Sequence, residues 1–203
     1  HGKGECMYED KHFYKGEWFN GKRQGKGKLT WPNNDIYDGD WKNDQPNGKG
    51  KFIFKGSTTD TYEGDVKNWD RDGFGTYIWN SNEDKGNKYV GQWKNNSRNG
   101  EGTLIYQDTG DIYMGSWKND IRKGQGKLVQ KNGNSISGIF NNDQIEGEAI
   151  TKFKIKEKWF ELSGSVKKSI HNFHGKCKLK DLDTGEELFP IYENGKFIKY
   201  SNE

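Results

Sequence analysis

The feature that most narrows the folds open to this chain is a short aromatic–glycine unit recurring at near-constant spacing. Aligned on Tyr-x-Gly-x-Trp it reads Tyr14-Lys15-Gly16-Glu17-Trp18, Tyr37-Asp38-Gly39-Asp40-Trp41, Tyr62-Glu63-Gly64-Asp65-Val66, Tyr89-Val90-Gly91-Gln92-Trp93 and Tyr113-Met114-Gly115-Ser116-Trp117, with a weaker sixth copy, Ile136-Ser137-Gly138-Ile139-Phe140. A Gly-x-Gly element follows each copy: Gly25/Gly27, Gly48/Gly50, Gly73/Gly75, Gly100/Gly102 and Gly124/Gly126, then Gly147 with Ala149. The first glycines are separated by 23, 25, 27, 24 and 23 residues. Such a period marks stacked supersecondary units that bury a shared core.

Each unit holds two runs of alternating character joined by Asn-Gly-type residues, as in Trp18-Phe19-Asn20-Gly21, and therefore reads as one β-hairpin. Side chains alternate faces along a strand, so Tyr14, Gly16 and Trp18 share a face, and on the return strand so do Gly25, Gly27, Leu29 and Trp31. Rings can then lie over glycines, which have no Cβ to obstruct them. The expected fold is all-β, an elongated single-sheet solenoid of consecutive antiparallel hairpins. At about 4.8 Å per strand, seven or so units would make a twisted ribbon roughly 65 Å long.

Composition agrees with a folded array. The chain is 31% charged with a mean hydropathy of −1.21, values that alone would suit disorder, but 8 Trp, 10 Tyr and 11 Phe supply large buried areas and 28 Gly supply turns. Residues 1–155 read as the array, about six to seven units with the first truncated. Residues 156–203 read as degenerate repeats forming a C-terminal β cap, with Leu162–Val166 and Gly175–Leu179 as an eroded unit and Tyr192–Phe197 as a further hairpin. His1-Gly2-Lys3-Gly4 resembles the tail of a preceding unit, so the chain is expected to be a piece of a longer protein.

These units resemble the MORN (membrane occupation and recognition nexus) repeat, with its Tyr-x-Gly-x-Trp and Gly-x-Gly elements. The match is close over residues 14–135, fair to about 155 and poor beyond. Val66 in place of Trp and Ala149 in place of Gly imply local repacking. The resemblance implies an interaction module, since similar proteins include junctional-membrane tethers, radial-spoke heads, parasite cytoskeletal scaffolds and arrays attached to lipid kinases or SET-domain methyltransferases.

Catalytic and metal chemistry find little purchase. His171-Asn172-Phe173-His174-Gly175-Lys176-Cys177 holds metal-ligand residue types, yet it lacks the second pair that a zinc site requires and the carboxylate that would orient a nucleophile's base. The Gly-x-Gly elements precede strand-like residues such as Lys28-Leu29-Thr30-Trp31, not a helix, so they are not phosphate loops. Glu17, Asp40 and Asp65 recur opposite the aromatic face, as a solvated face would have them. The rings are needed for packing, which argues against base stacking on nucleic acid. No enzyme activity, metal or cofactor is expected.

With 33 basic and 30 acidic side chains, charge matters only where it segregates. The hairpin tips are basic, with Lys22, Arg23, Lys42, Lys67, Arg71, Lys94, Arg98, Lys118, Arg122 and Lys123, while the connections carry Asp35, Asp60, Glu83, Asp84, Asp108 and Asp111. Lys22, Arg23, Arg71, Arg98, Arg122 and Lys123 are candidate weak contacts to anionic phospholipid. Solvated tip arginines would tolerate alanine to within about 0.5 kcal/mol. Opposite the rings, Thr30, Ile53, Ile78, Ile105 and Val129 form an aliphatic stripe, which Val90, Met114 and Ile139 widen in the later units. Val90, Ile105, Met114, Val129 and Ile139 are accordingly the candidate site for a protein partner, either a helix or a second copy forming a homodimer. The alternatives are a phospholipid-binding module and an accessory region of a larger enzyme. Two cysteines, Cys6 and Cys177, expected at opposite ends, suit a reducing cytoplasmic setting with membrane or cytoskeletal attachment.

Overall fold

Each Tyr-x-Gly-x-Trp segment forms the outgoing strand of a hairpin, and each Gly-x-Gly segment lies on its return strand. The computed structural model describes residues 1–56, 58–80, 84–167 and 172–201. They fall into two compact units, His1–Asp108 and Thr109–Glu203. The first is an open antiparallel sheet of strands β1 (Gly2–Met7), β2 (Phe13–Phe19), β3 (Lys22–Thr30), β4 (Ile36–Lys42), β5 (Gln45–Lys55), β6 (Thr59–Lys67), β7 (Asp70–Ile78), β8 (Lys88–Lys94) and β9 (Ser97–Ile105), each paired to the next in sequence. The second continues the pattern with β10 (Ile112–Lys118), β11 (Ile121–Val129), β12 (Ser135–Asn141), β13 (Gln144–Ile155), β14 (Lys158–Val166) and β15 (Phe173–Asp181). There β15 also pairs with β16 (Glu187–Leu188) and with β17 (Pro190–Glu193), which turns at Asn194-Gly195 into β18 (Lys196–Tyr200). The antiparallel hairpin architecture read from the sequence is the architecture found. Residues 155 and 156 fall at the turn that joins β13 to β14.

The tips are two-residue turns with consecutive left-handed residues: Asn20/Gly21 at φ 49° and 74°, Asn43/Asp44 at 49° and 69°, Asn95/Asn96 at 47° and 68°. This conformation twists in the sense of the strands it joins, and Asn tolerates it best among residues with a Cβ. Below each tip the register slips. Gly16 faces Gly27 and Trp18 faces Arg23, so Gln24, Gly25 and Lys26 lie opposite the single residue Glu17. The same shift occurs at Gly39/Trp41, Gly64/Val66, Gly91/Trp93, Gly115/Trp117 and Gly138/Phe140. Because the bulge inserts a pair of residues, parity survives and the rings stay on one face.

The bulge corrects one expectation. Asp40 and Asp65, read as part of a solvated face, fold back over it. Asp40 Oδ2 accepts the Lys49 amide at 2.8 Å, Asp65 Oδ2 the Phe74 amide at 2.8 Å, and Gln92 Oε1 repeats the contact with Glu101 at 2.8 Å. Glu17 lies likewise over Gly25. Burial pushes the Asp40 carboxyl up, but Lys26 and the Lys49 amide outweigh it and hold the group below the usual carboxylate range.

The core is built from rings seated on glycine. A Cβ added to Gly27, Gly50, Gly75, Gly102 or Gly126 would sit between 2.1 and 2.8 Å from the ring and hydroxyl atoms of Tyr14, Tyr37, Tyr62, Tyr89 or Tyr113. Those five tyrosines are fully buried. Each hydroxyl donates to the carbonyl three residues on, at 3.1 Å to Glu17, 2.9 Å to Asp40, 2.7 Å to Asp65, 3.0 Å to Gln92 and 3.2 Å to Ser116. Desolvation pushes the Tyr14 phenol up to about 12, so it stays a neutral donor. Tryptophans pack edge-on between successive tyrosines: Trp41 lies 5.1 Å from Tyr14 and 5.4 Å from Tyr37, and its indole N–H donates to the Gly27 carbonyl at 2.8 Å.

The third unit shows how the missing Trp is replaced. Val66 is too small to reach Tyr37, and the ring is supplied instead by Trp69 in the tip turn, at φ 75°. Its centroid lies 5.6 Å from that of Trp41 and 5.7 Å from that of Trp31. A bulky residue there is strained by about 1–3 kcal/mol, offset by burial of its ring.

Replacing Gly102 with Ala should destabilise the fold by about 3 kcal/mol or more, because the methyl must displace the Tyr89 ring. Gly21→Ala, where a Cβ would meet nothing within 4 Å at φ 74°, should cost about 1 kcal/mol from backbone strain. Denaturant titration of both variants measures the difference, and equal losses would mean that the rings are not seated on glycine.

Candidate functional site

Surface available to a partner is what remains after the internal uses of polar groups are subtracted, and those uses are extensive. At the tips, Arg23 donates its backbone amide to Asp44 Oδ1 at 2.8 Å and Nη2 to the Asp44 carbonyl at 2.8 Å, clasping the turn of the next hairpin. Arg71 makes the same pair of contacts with Asn96, and Arg122 with Asp143. Each guanidinium also covers a ring: Arg23 lies 4.4 Å from the Trp41 centroid, Arg71 4.5 Å from Trp93, Arg98 5.8 Å from Tyr89 and Arg122 5.4 Å from Phe140. The arginines are therefore half-buried structural groups, and the solvated-tip reading does not hold for them. Lys22 and Lys123, the other candidate lipid contacts, are exposed.

At the opposite ends of the strands a second device repeats. From the second repeat on, the Asp or Asn two residues before the tyrosine-equivalent position accepts an amide from the residue 20 further on: Asp35 from Lys55, Asp60 from Asn80, Asn87 from Gln107, Asp111 from Lys131 and Asn134 from Lys154. The acids of the connections are thus largely engaged in holding successive loops together. Glu83 lies outside the described residues. Sequence reading missed this ladder because Asp and Asn are mixed in it and its donors are backbone amides, although the recurrence of Asp or Asn two residues before the tyrosine position was available.

The face opposite the rings differs along the chain. Over its first strands the basic and acidic side chains form cross-strand ion pairs: Lys15–Glu5 at 2.6 Å, Lys49–Asp65 at 2.6 Å, Lys51–Glu63 at 3.4 Å, and Lys26–Asp40. Later in the same unit the character changes. Phe74 is exposed, Val90 lies between Thr76 and Thr103, and Ile105 lies beside Lys88, the last two half-buried.

In the second unit Met114 is 40% exposed and Ile139 is 43% exposed, while Val129 is half-buried. Met114 and Val129 lie diagonally across β10 and β11, since Met114 faces Lys127 and Val129 faces Ile112. Ile139 is set apart from them beside Gln125. It lines a shallow hollow of about 950 Å³ together with Ile150, Ser137 and Ser163. Ile150, 42% exposed, was not singled out from the sequence. Its signal was the position after Gly-x-Gly, which holds Lys28, Lys51, Thr76, Thr103 and Lys127 in the other units.

Only part of the His/Cys segment lies among the described residues. His171 lies outside the described residues, His174 is half-buried opposite Ser165, and Cys177 is buried against Gly164 with its thiol pKa pushed up by desolvation. Among the described residues no group of three or more His, Cys, Asp or Glu could hold a metal ion. No helix among them is long and apolar enough to cross a membrane.

A family model described as the MORN repeat matches residues 14–36, 37–59, 62–83, 89–110 and 113–135, more than half of the chain. The chain belongs to the MORN repeat family. No curated protein matches it. In the geometry above, each matched MORN repeat contributes one ring-on-glycine hairpin. The sixth hairpin, β12–β13, follows the matched residues and keeps the bulge while exchanging Tyr for Ile136 and Gly for Ala149.

Arg71→Ala should lower stability by about 1–2 kcal/mol, through loss of the Trp93 cation–π contact and of the tip clasp. Exposed Lys67→Ala should stay within about 0.5 kcal/mol. Thermal melts distinguish the two, and a neutral Arg71 variant would return the tips to the solvated class.

Proposed function

We propose that this MORN array is a non-catalytic docking scaffold whose open face, in the second unit, receives an apolar stripe from a protein partner, either a helix or a second copy of the chain. The observation that supports this reading is the exposure of Met114, Ile139 and Ile150 on that face, the last two lining a hollow, beside the Lys152–Glu161 ion pair at 3.2 Å. Cross-strand ion pairs keep a sheet face wetted and discourage association. Exposed aliphatic groups of comparable extent favour it. Half-buried Val129 flanks Met114 and belongs to the same surface. In the first unit Val90 and Ile105 offer a less exposed version of the same face.

Changing Met114 and Ile139 together to Asp should abolish dimerisation on gel filtration, or co-purification of the partner, while the circular-dichroism melt moves by no more than about 3 °C. Unchanged association would remove the open face from consideration.

Anionic phospholipid is a second, weaker reading, favoured by the exposed tip lysines Lys22, Lys42, Lys67, Lys94, Lys118 and Lys123. With Arg23, Arg71, Arg98 and Arg122 held over rings, the remaining attraction is that of solvated point charges. Flotation with phosphatidylserine liposomes should therefore be lost by about 0.3 M salt, where the screening length is roughly 6 Å. Binding that survives such salt would require an apolar insertion that this reading lacks.

A further inference from the structure

On the ring face of the second unit lies a half-enclosed cavity of about 410 Å³, bounded on one side by Tyr192 and Gly195 of the terminal hairpin. Its origin is legible in the repeat. Two positions after the Leu-equivalent, the units carry Trp31, Phe54, Trp79 and Tyr106, then Gln130, then Phe153. The Leu-equivalent itself runs Leu29, Phe52, Tyr77, Leu104 and Leu128, then Thr151. Ile136 stands where earlier units have tyrosine. Three under-sized or polar residues thus meet in one place, because Ile136 and Thr151 are directly paired on β12 and β13 and Gln130 leaves β11 just beyond Leu128.

The sheet cannot close over this gap, since the ladders on both sides fix the strand spacing. Leu128 is consequently only half-buried, whereas Leu29 and Leu104 are 3% and 6% exposed. Phe153, Leu162 and Phe173 complete apolar walls. Gln130 and Asn134 add uncharged side-chain amides to the lining. Among the described residues no side chain charged at neutral pH lines the space.

We propose that this cavity binds a neutral aromatic ring carrying one hydrogen-bonding group, such as an indole or a phenol, in the place where other units supply a ring of their own. An apolar cavity of protein side chains takes up an aromatic ring without the desolvation penalty that a charged ligand would incur. The ring's polar group meets the side-chain amide of Gln130, which lines the space. The same chemistry is offered by a free small aromatic molecule and by a Trp or Tyr side chain of a bound segment. This site lies on the face opposite the proposed docking surface and stands independently of it.

The test is a titration of the full chain with indole, followed by amide chemical shifts in nuclear magnetic resonance spectra. Saturable shifts centred on Leu128, Ile136 and Thr151, with half-saturation at about 1 mM or below, are expected for a ligand of this size. Thr151→Leu and Gln130→Trp, which restore the repeat pattern, should each weaken indole binding by about tenfold or more and raise the melting temperature. Benzoate should bind at least about tenfold more weakly than indole. Tighter binding of N-acetyl-tryptophanamide than of indole would identify a side chain as the source, and weaker binding a free small molecule. Absence of saturable shifts in the folded protein would overturn the proposal, as would binding that the two filling variants leave unchanged or benzoate binding equal to that of indole.

Discussion

A tyrosine ring laid flat on a glycine of the paired strand is the contact on which the rest of this structure depends. It requires that the glycine lack a Cβ, that the ring's strand and the glycine's strand stay in register, and that the hydroxyl find an acceptor without leaving the core. The carbonyl three residues on meets the last need in each matched unit. The bulge then follows from the first two. It admits extra residues to the return strand while keeping parity, and the first glycine of Gly-x-Gly takes a positive φ there, as at Gly73 with φ 119°. The acidic side chain beside it, Asp65, then reaches back to satisfy the amide that the bulge would otherwise leave bare.

Much of this could be read from residue order. Period-2 parity placed Tyr14, Gly16, Gly27 and Leu29 on one face, and the Asn-rich tips announced left-handed turns. What the sequence concealed were the uses of charged residues. Asp40 and Asp65 looked like a solvated row because parity puts them opposite the rings, and a bulge that preserves parity leaves no trace in a periodic pattern. Arg23 and Arg71 looked like solvated tip charges because the ring under each belongs to a different hairpin, about one repeat away in sequence. Trp69 was invisible for a related reason: a tip position seldom carries the ring that a strand has lost.

The candidate surfaces were legible to a lesser degree. Met114, Val129 and Ile139 were found from the contrast with the charged early units. Ile150 was not, because it sits in a unit whose motif is weak and whose alignment is less obvious. The ring-face cavity was beyond sequence reading altogether. It arises from Gln130, Ile136 and Thr151 acting together, each unremarkable alone, and from a terminal hairpin that comes to lie beside them.

The clasp from Arg23 to Asp44 spans 21 residues, and the amide ladder from Asp35 to Lys55 spans 20. Both therefore reach only the adjoining hairpin. Cohesion in such an array is mostly a chain of nearest-neighbour terms, with the Trp31–Trp69 contact reaching one hairpin further. Folding can start at whichever pair of hairpins docks first and spread outward, with loop-closure entropy kept small at every step. By the same logic a hairpin copied or deleted in register by a gene-level event leaves the clasp and the amide ladder able to re-form at the new junction, except around Trp69, whose ring depends on the two hairpins before it.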